Sequence, residues 1–190
     1  MALKTKTDLK DIFNGLSSVM FQEDAIDLSQ STIQIDPDYD LPVTVDTLSF
    51  TQDDPTINHY KVIGLEGDWT SSSTSGDVSI QFTVPTKQTD VLKLAYGTSA
   101  VVAKTGATYG SGTYNGNAVT FSTHKVTGSI VLEDAEQKNL LILSNVALWA
   151  KPLFENASTD PFAIQFTGTV EATGKPDIAF LTKNSASQSS

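Results

Sequence analysis

The segment Lys138–Ala150, KNLLILSNVALWA, decides the fold class, together with Phe162–Thr173, FAIQFTGTVEAT. In the second segment Ile164 and Phe166 alternate with polar residues such as Gln165. A period of two predicts a β-strand with one covered face and one wet or shared face. The first segment is apolar on both faces over part of its length, so we expect its own core or a neighbouring copy to cover it. The strongest signals in the chain are therefore architectural.

The rest of the sequence adds further strands and few helices. Val78–Val84 alternates apolar and polar residues up to Pro85, which has no amide for a ladder, and Val43–Phe50 and Ile178–Leu181 are further strand candidates. Thr89–Tyr96 is predicted to be a helix, with Thr86 or Thr89 as its cap and Gly97 after its end. The predicted fold class is mainly β, or β-rich α+β: a two-sheet β-sandwich or barrel with one flanking helix.

The chain has two glycine- or hydroxyl-rich connections and a distinct beginning. Asp68–Gly76 is predicted to be a polar loop, and Lys104–Asn117 a long hairpin tip or loop. A short helix that includes Ile12 is predicted behind a Thr7 cap. The expected organisation is a single domain over residues 1–181 with an N-terminal arm over 1–30, and a disordered tail over 182–190.

Composition excludes several function classes. The chain has 190 residues, a formal charge of −10 and no cysteine, and all 12 basic residues are lysine. Disulfides, thiolate catalysis and cysteine-ligated zinc are excluded. A chain without arginine lacks the bidentate guanidinium group that binds guanine edges. Its net negative charge also repels DNA phosphates, so sequence-specific DNA binding is disfavoured. Nothing in the sequence resembles a secretory signal or approaches the roughly 20 apolar residues that span a bilayer, so we expect a soluble protein made in a cytoplasm.

Residues capable of chemistry are few and poorly arranged. His59 and His124 have no second ligand at a familiar metal spacing, and the acidic turn Asp36–Asp40 lacks the glycine and distal glutamate of a calcium loop. Glu133–Glu136 is interpreted as a solvated turn, and Gly110–Gly112 as a hairpin tip without a nucleophile elbow. No catalytic, cofactor or metal site is therefore predicted. Four aromatic residues remain as an alternative sugar platform: Trp69, Trp149, Tyr109 and Tyr114.

The order of five segments resembles the major tail tube proteins of long-tailed bacteriophages. The segments are VTVDTLSFTQDDPT (43–56), SGDVSIQFTVP (75–85), TDVLKLAYG (89–97), VTGSIVLEDAEQKNLLILSNVALWA (126–150) and DPFAIQFTGTVEA (160–172). The resemblance implies a β-sandwich that closes toward a barrel, with a flanking helix and long loops that reach adjacent subunits. It also implies hexameric rings that stack into a hollow tube, a fold shared with type VI secretion tubes.

The implied function is that of a virion tail protein, made in the host cytoplasm, whose tube conducts DNA without binding it specifically. The resemblance implies no membrane partner. Its implied partners are other copies of itself, a tape measure protein and a tail terminator. Exposed strand edges of neighbouring copies would then pair with one another and hold the assembly together. The subunit-interface candidates are Tyr109, Tyr114, Leu141, Leu143 and Trp149. The net-acidic balance predicts a bore lined by carboxylates, with Glu171 as the lumen-facing candidate.

Two alternatives to the tail tube stay open. A tube protein of a contractile injection system, similar to type VI, would have the same fold and a protein cargo. A carbohydrate-binding or adhesin β-sandwich would use the aromatic residues instead. An enzyme is disfavoured because no nucleophile or metal-ligand set is present.

Overall fold

The computed structural model describes residue 4 and residues 12–156 and 159–184. Over these residues the chain forms twelve strands and one α-helix, and a short 3-10 helix at Thr98–Ala100. The elements are β1 (Ser18–Gln22), β2 (Tyr39–Leu41), β3 (Ser49–Gln52), β4 (Thr56–Tyr60), β5 (Thr70–Thr74), β6 (Val78–Val84), α1 (Thr89–Tyr96), β7 (Val101–Tyr109), β8 (Gly112–Val119), β9 (Lys125–Glu133), β10 (Asn139–Leu153), β11 (Ala163–Val170) and β12 (Ile178–Thr182). The β-rich fold class with one flanking helix is confirmed.

Eight strands form one antiparallel sheet, in the order β2-β1-β9-β10-β11-β6-β3 with β12 also paired to β10. The long strand β10 organises it, since its first part pairs with β12, its later part with β11, and both parts with β9. Two separate two-stranded sheets, β4–β5 and β7–β8, complete the described topology. The large sheet does not close into a barrel, because among the described strands β2 and β3 stay at its edges.

A bulge divides β10 and changes which of its residues face the main core. The pairing of β10 with β9 shifts register between Leu143 and Val146, and Asn145 has a φ of 52°. Leu141 and Leu143 face the main core before the bulge, and Val146 and Leu148 face it afterwards. The extra residue resets the alternation, so one face of β10 stays on the same core along its whole length.

The main core lies on one face of the large sheet, under α1. It contains residues from strands at both ends of the sheet, so the sheet curves around it. Phe82 and Phe166 stack at its centre, with ring centroids 5.2 Å apart. The helix contributes four buried residues: Val91, Leu92, Ala95 and Tyr96. Its cap is Gln88, whose side chain accepts from the Thr89 amide, rather than Thr86 or Thr89.

A second, smaller core covers the opposite face of β9 and β10. Ile26 and Leu28 pack there against Val131 and Ile142. The Ile26 amide donates to Ser129 Oγ at 2.8 Å, and Ser144 Oγ donates to the Ile26 carbonyl at 2.6 Å. Residues 18–30, predicted as part of an N-terminal arm, therefore belong to the body of the molecule. The apolar excess of β9 and β10 is what draws this segment onto the sheet.

Several sequence-based boundaries are wrong. Most of Val43–Phe50 is irregular, because Asp46 has a φ of 64° and the Thr47 amide donates to the Thr44 carbonyl in a tight turn. Asp68–Gly76, predicted as a loop, contains β5. Of the predicted N-terminal helix, residues 12–16 are not helical, and residues 5–11 lie outside the described residues, as do residues 185–190 of the predicted tail. Over the described residues, no helix is long and apolar enough to cross a membrane.

Candidate assembly surfaces

The β7–β8 hairpin carries the glycine-rich segment predicted as a tip or loop. Apart from its base the hairpin is exposed on both faces. The base is held to the body by the buried Val101 and by Asn117, whose side-chain amide donates to Thr89 Oγ1 of α1 at 2.7 Å. Beyond this base the ladder depends on its own hydrogen bonds. An isolated two-stranded ribbon is only marginally stable in water, so this hairpin gains stability from any partner that covers it.

The two hairpin tyrosines lie on one face near the tip. Tyr109 of β7 pairs with Gly112 of β8, and Tyr114 lies two residues after Gly112 in β8, so both tyrosine side chains lie on the same face. Their exposed fractions are 82% and 55%. The Tyr114 ring lies over Gly112, close to where a side chain would begin. Thr108 and Thr113 pair on the opposite face. The hairpin therefore has one aromatic and one hydroxyl face, and both sequence-predicted interface tyrosines are accessible.

The β4–β5 hairpin is the more apolar of the two, and its strand residues are all exposed. Residues 61–69 join its strands and form what we call the apex. Large exposed hydrophobic side chains cluster on this hairpin: Ile57, Tyr60, Val62, Ile63, Leu65 and Trp69. Soluble monomers rarely present so many apolar groups together, and such a patch marks an interaction site. This surface is not among the sequence-predicted interface residues, although apolar residues interrupt an otherwise polar connection there.

The outer face of β9, β10, β11, β6 and β3 is polar, and we call it the polar sheet face. Trp149 lies directly between Lys125 of β9 and Thr167 of β11, and Thr167 in turn pairs with Gln81 of β6. The remaining members are mainly hydroxyl and amide side chains: Ser49, Thr51, Ser79, Thr127, Lys151, Gln165 and Thr169. Trp149, 39% exposed, is the large apolar side chain on this face.

The polar sheet face does not carry the carboxylate excess that the sequence predicts for a bore. Glu171, just after β11, accepts from Lys125 Nζ at 2.6 Å, and both side chains are nearly half exposed. Lys151 is the other charged residue on this face. The acidic residues lie instead mostly in turns and connections, where carboxylates keep their water. The carboxylate-lined bore stays a prediction, with Glu171 beside this face as its lumen-facing candidate.

Two interface candidates lie inside the subunit. Leu141 and Leu143 are both buried in the main core of the same chain. Leu143 has no accessible surface, and Leu141 reaches the surface only at the floor of an open cleft beside the core. Tyr109, Tyr114 and Trp149 remain accessible candidates.

The residues considered for chemistry are used structurally. His59 Nδ1 lies 2.6 Å from Asp68 Oδ2 at the exposed end of β4–β5. Asp134 accepts from the amides of Lys138 and Asn139 and from the Asn139 side chain, so it closes the turn before β10. These bonds, from Asn139 above all, outweigh its burial and lower the pKa of Asp134. Over the described residues, no group of three or more His, Cys, Asp or Glu could hold a metal ion.

Two other titratable groups are shifted by their surroundings. Burial raises the pKa of Tyr96 to about 12, and its hydroxyl has no hydrogen-bond partner in the described part of the chain. The Lys175 ammonium, 2.8 Å from Asp27 Oδ2, together with Ser29, holds the pKa of Asp27 well below its usual range. Tyr96 belongs to the main core, and Asp27 lies in the segment that covers the second core. They therefore report on the stability of the body.

The aromatic residues of the alternative sugar platform are not brought together. Trp149 lies on the large sheet, Trp69 on the β4–β5 hairpin, and the two tyrosines on β7–β8. No ring contact joins them in the described part of the structure. A platform needs its rings side by side, so this geometry does not favour the carbohydrate-binding alternative.

Comparison with known proteins gives similarity to solved structures alone. No protein-family model and no curated protein sequence matches the chain. Among solved structures, it is similar to a chain in the cryo-EM structure of the anti-feeding prophage baseplate, 6-fold symmetrised. The two are 12% identical, the match covers 90% of this chain and 95% of that chain, and the TM-score is 0.41. A similarity at this level does not establish a shared function.

Proposed function

We propose that the chain is a structural subunit of a phage tail or phage-tail-like particle, whose copies assemble into stacked rings that form a tube. The observation that carries this proposal is the pair of exposed hairpins, β4–β5 and β7–β8, which stand apart from the body. The order of sequence segments that resembles tail tube proteins supports it. The particle tail is the proposed location, a tape measure protein and a tail terminator are the proposed further partners, and hexameric rings are the proposed symmetry.

The energetics of the hairpins favour assembly. Each hairpin has two unpaired strand edges, which present free amides and carbonyls to other chains. Each also exposes aromatic or aliphatic side chains, whose contact with water is unfavourable in the monomer. Packing between copies would cover both liabilities at once. A contact between two different surfaces of one chain continues from copy to copy, so it generates closed rings or open stacks.

The polar sheet face is the proposed lining of the bore, with Glu171 directed toward the lumen. Its hydroxyl and amide side chains carry little net charge, since Lys125 is neutralised by Glu171. Tight nonspecific binding of DNA depends on many lysine or arginine contacts to phosphate, and this face offers few. DNA would therefore pass without being held. The same face would pass a protein, so the tube of a contractile injection system remains the alternative.

Electron microscopy of the purified protein tests the proposal. Negative-stain images over a series of rising concentrations should show rings and then tubes. Removal of residues 104–117 should leave a folded monomer, with an unchanged far-ultraviolet circular dichroism thermal transition, and should abolish tubes. The reason is that these residues are largely exposed, and the side-chain hydrogen bond that joins them to the body in the described structure runs from Asn117 to Thr89. Wild-type protein that stays monomeric at every concentration, or shortened protein that still forms tubes, would contradict the proposal.

A matched pair of double variants gives a finer test. Tyr109→Ser with Tyr114→Ser removes the aromatic face of β7–β8, while Thr108→Ala with Thr113→Ala changes only its opposite face. All four side chains lie on an exposed hairpin, so neither pair should alter the stability of the monomer. We expect the tyrosine pair to weaken assembly, measured by sedimentation, and the threonine pair to leave it unchanged. Equal assembly by both would exclude the tyrosines from the interface.

A further inference from the structure

An open, largely apolar cleft lies where the curved sheet fails to close. Its volume is about 790 Å³, and it is bounded by the chain before β1, by β2 and by the connection into β3. The main core forms its floor through Leu132 and Leu141. Its walls are mostly apolar: Phe13, Leu16, Val19, Leu41, Val43 and Phe50. Two carboxylates, Asp40 and Asp46, are among its lining residues. The cleft therefore combines an apolar interior with the negative charge of two carboxylates.

The apex of the β4–β5 hairpin has the complementary character. Ile63 is fully exposed, and Leu65 and Trp69 are more than half exposed. Lys61 begins the apex and has no ion-pair partner among the described residues, whereas the apex carboxylate of Asp68 is already paired with His59. Glu66 is the other apex carboxylate. The apex thus presents an aliphatic tip with an available ammonium group beside it.

Cleft and apex belong to the same chain but do not meet within it. No residue of the β4–β5 hairpin lines the cleft. Resting on the proposed self-assembly, we propose that the apex of one copy inserts into the cleft of a second copy. Ile63 and Leu65 fill the apolar interior, and Lys61 faces Asp40 or Asp46. The occupant is a second copy because this chain carries both the apolar cleft with its carboxylates and the apolar apex with its lysine.

This contact has a direction, and the direction fits rings or stacks. The apex and the cleft are different surfaces, so each copy keeps one free apex and one free cleft after it binds. The added copy therefore offers the same two surfaces to the next. The contact also covers the exposed apolar cluster of β4–β5 and the open end of the main core.

Cysteine cross-linking tests the contact directly, because the native chain contains no cysteine. We would prepare Ile63→Cys and Val45→Cys as separate single variants, since both positions are exposed and Val45 lines the cleft. The variants would be mixed under assembly conditions and oxidised. Non-reducing electrophoresis and mass spectrometry of the cross-linked peptide should show the mixed disulfide at least about tenfold above a control mixture of Thr108→Cys and Val45→Cys.

A charge exchange tests the polar part of the contact. Lys61→Glu should weaken assembly, and Asp40→Lys in the same chain should restore it in part. Ile63→Asp should abolish assembly, while Ser72→Asp on the exposed strand β5 should not. Circular dichroism should show all four variants folded, because each changed side chain is exposed in the monomer.

The outcomes separate this inference from the proposed function. Tubes that form with the mixed disulfide no more abundant than in the control would overturn the apex–cleft contact and leave the tube proposal standing. Protein that forms no assemblies under any condition would overturn the tube proposal itself. Tubes formed by Ile63→Asp at the wild-type concentration would also exclude the apex from the interface.

Discussion

Replacing Gly168 by alanine should destabilise the subunit more than any other change of one methyl group on the core face of β11. Gly168 lies between Leu148 of β10 and Ile80 of β6. A Cβ at this position would overlap the carbonyl oxygen of Ala147 and would lie 2.8 Å from Leu148 Cδ2. Overpacking of a core costs about 1–3 kcal/mol. The obstructing atom is backbone in the centre of a hydrogen-bonded sheet, so we expect a cost of about 3 kcal/mol.

The measurement is urea unfolding of dilute protein, followed by circular dichroism, with Tm recorded in parallel. For a chain of this length, 3 kcal/mol corresponds to a fall in Tm of about 6–12 °C. The matched control is Gly116→Ala in β8, where a Cβ would meet nothing within 4 Å. There we expect no loss, and a gain of up to about 1 kcal/mol from the stiffer unfolded chain. Equal effects at the two glycines would refute the close approach of β11 to β10.

Two further predictions concern buried and paired polar groups. Tyr96→Phe removes a buried hydroxyl without a described partner, so the free energy of unfolding should stay within about 1 kcal/mol of wild type or rise. Because burial raises the pKa of Tyr96 to about 12 while the unfolded phenol titrates near 10, wild-type stability should also fall as the pH rises above about 10, less so in the variant. Asp27→Asn removes the partner of Lys175; because the pKa of Asp27 is lowered in the folded state, its contribution is present above about pH 4 and lost as the pH falls. Urea midpoints at pH 7 should therefore fall for Asp27→Asn but not for Asp24→Asn, and the difference between the two variants should narrow as the pH falls below about 4. No difference at pH 7 would contradict the pairing.

Sequence reasoning located the elements whose residues all follow one local rule. The strand pattern of Val78–Val84 and Phe162–Thr173, and the helical pattern of α1 with the glycine after its end, each depend on neighbours in sequence, and each forms where the sequence predicts it. The cap of α1 is the exception, since it is Gln88 rather than Thr86 or Thr89. The hairpin strands β4 and β5 were misjudged for the opposite reason. Their serine and threonine residues have no apolar alternation, and what pairs them is the backbone ladder from Thr56 to Thr74.

The candidate surfaces were predictable only in part. Tyr109 and Tyr114 could be identified because tyrosine in a glycine-rich connection has no core to join. Leu141 and Leu143 were assigned to an interface because a strand apolar on both faces has too much apolar surface for one sheet. The fold resolves that excess internally, by placing Ile26 and Leu28 over the second face of β10. Such a contact, between segments more than a hundred residues apart, has no signature in either segment alone.

The bulge at Ser144 and Asn145 makes β10 two half-strands of opposite phase within one continuous ladder. Loss of one residue there would give a more regular ribbon, yet it would rotate every side chain beyond it by half a turn and expose Val146 and Leu148. Gain of one residue on either side would do the same to the other half. Insertions and deletions should therefore be rare along this strand and occur mainly in the exposed connections. Ser144–Asn145 can then serve as a reference position when divergent relatives of this chain are aligned.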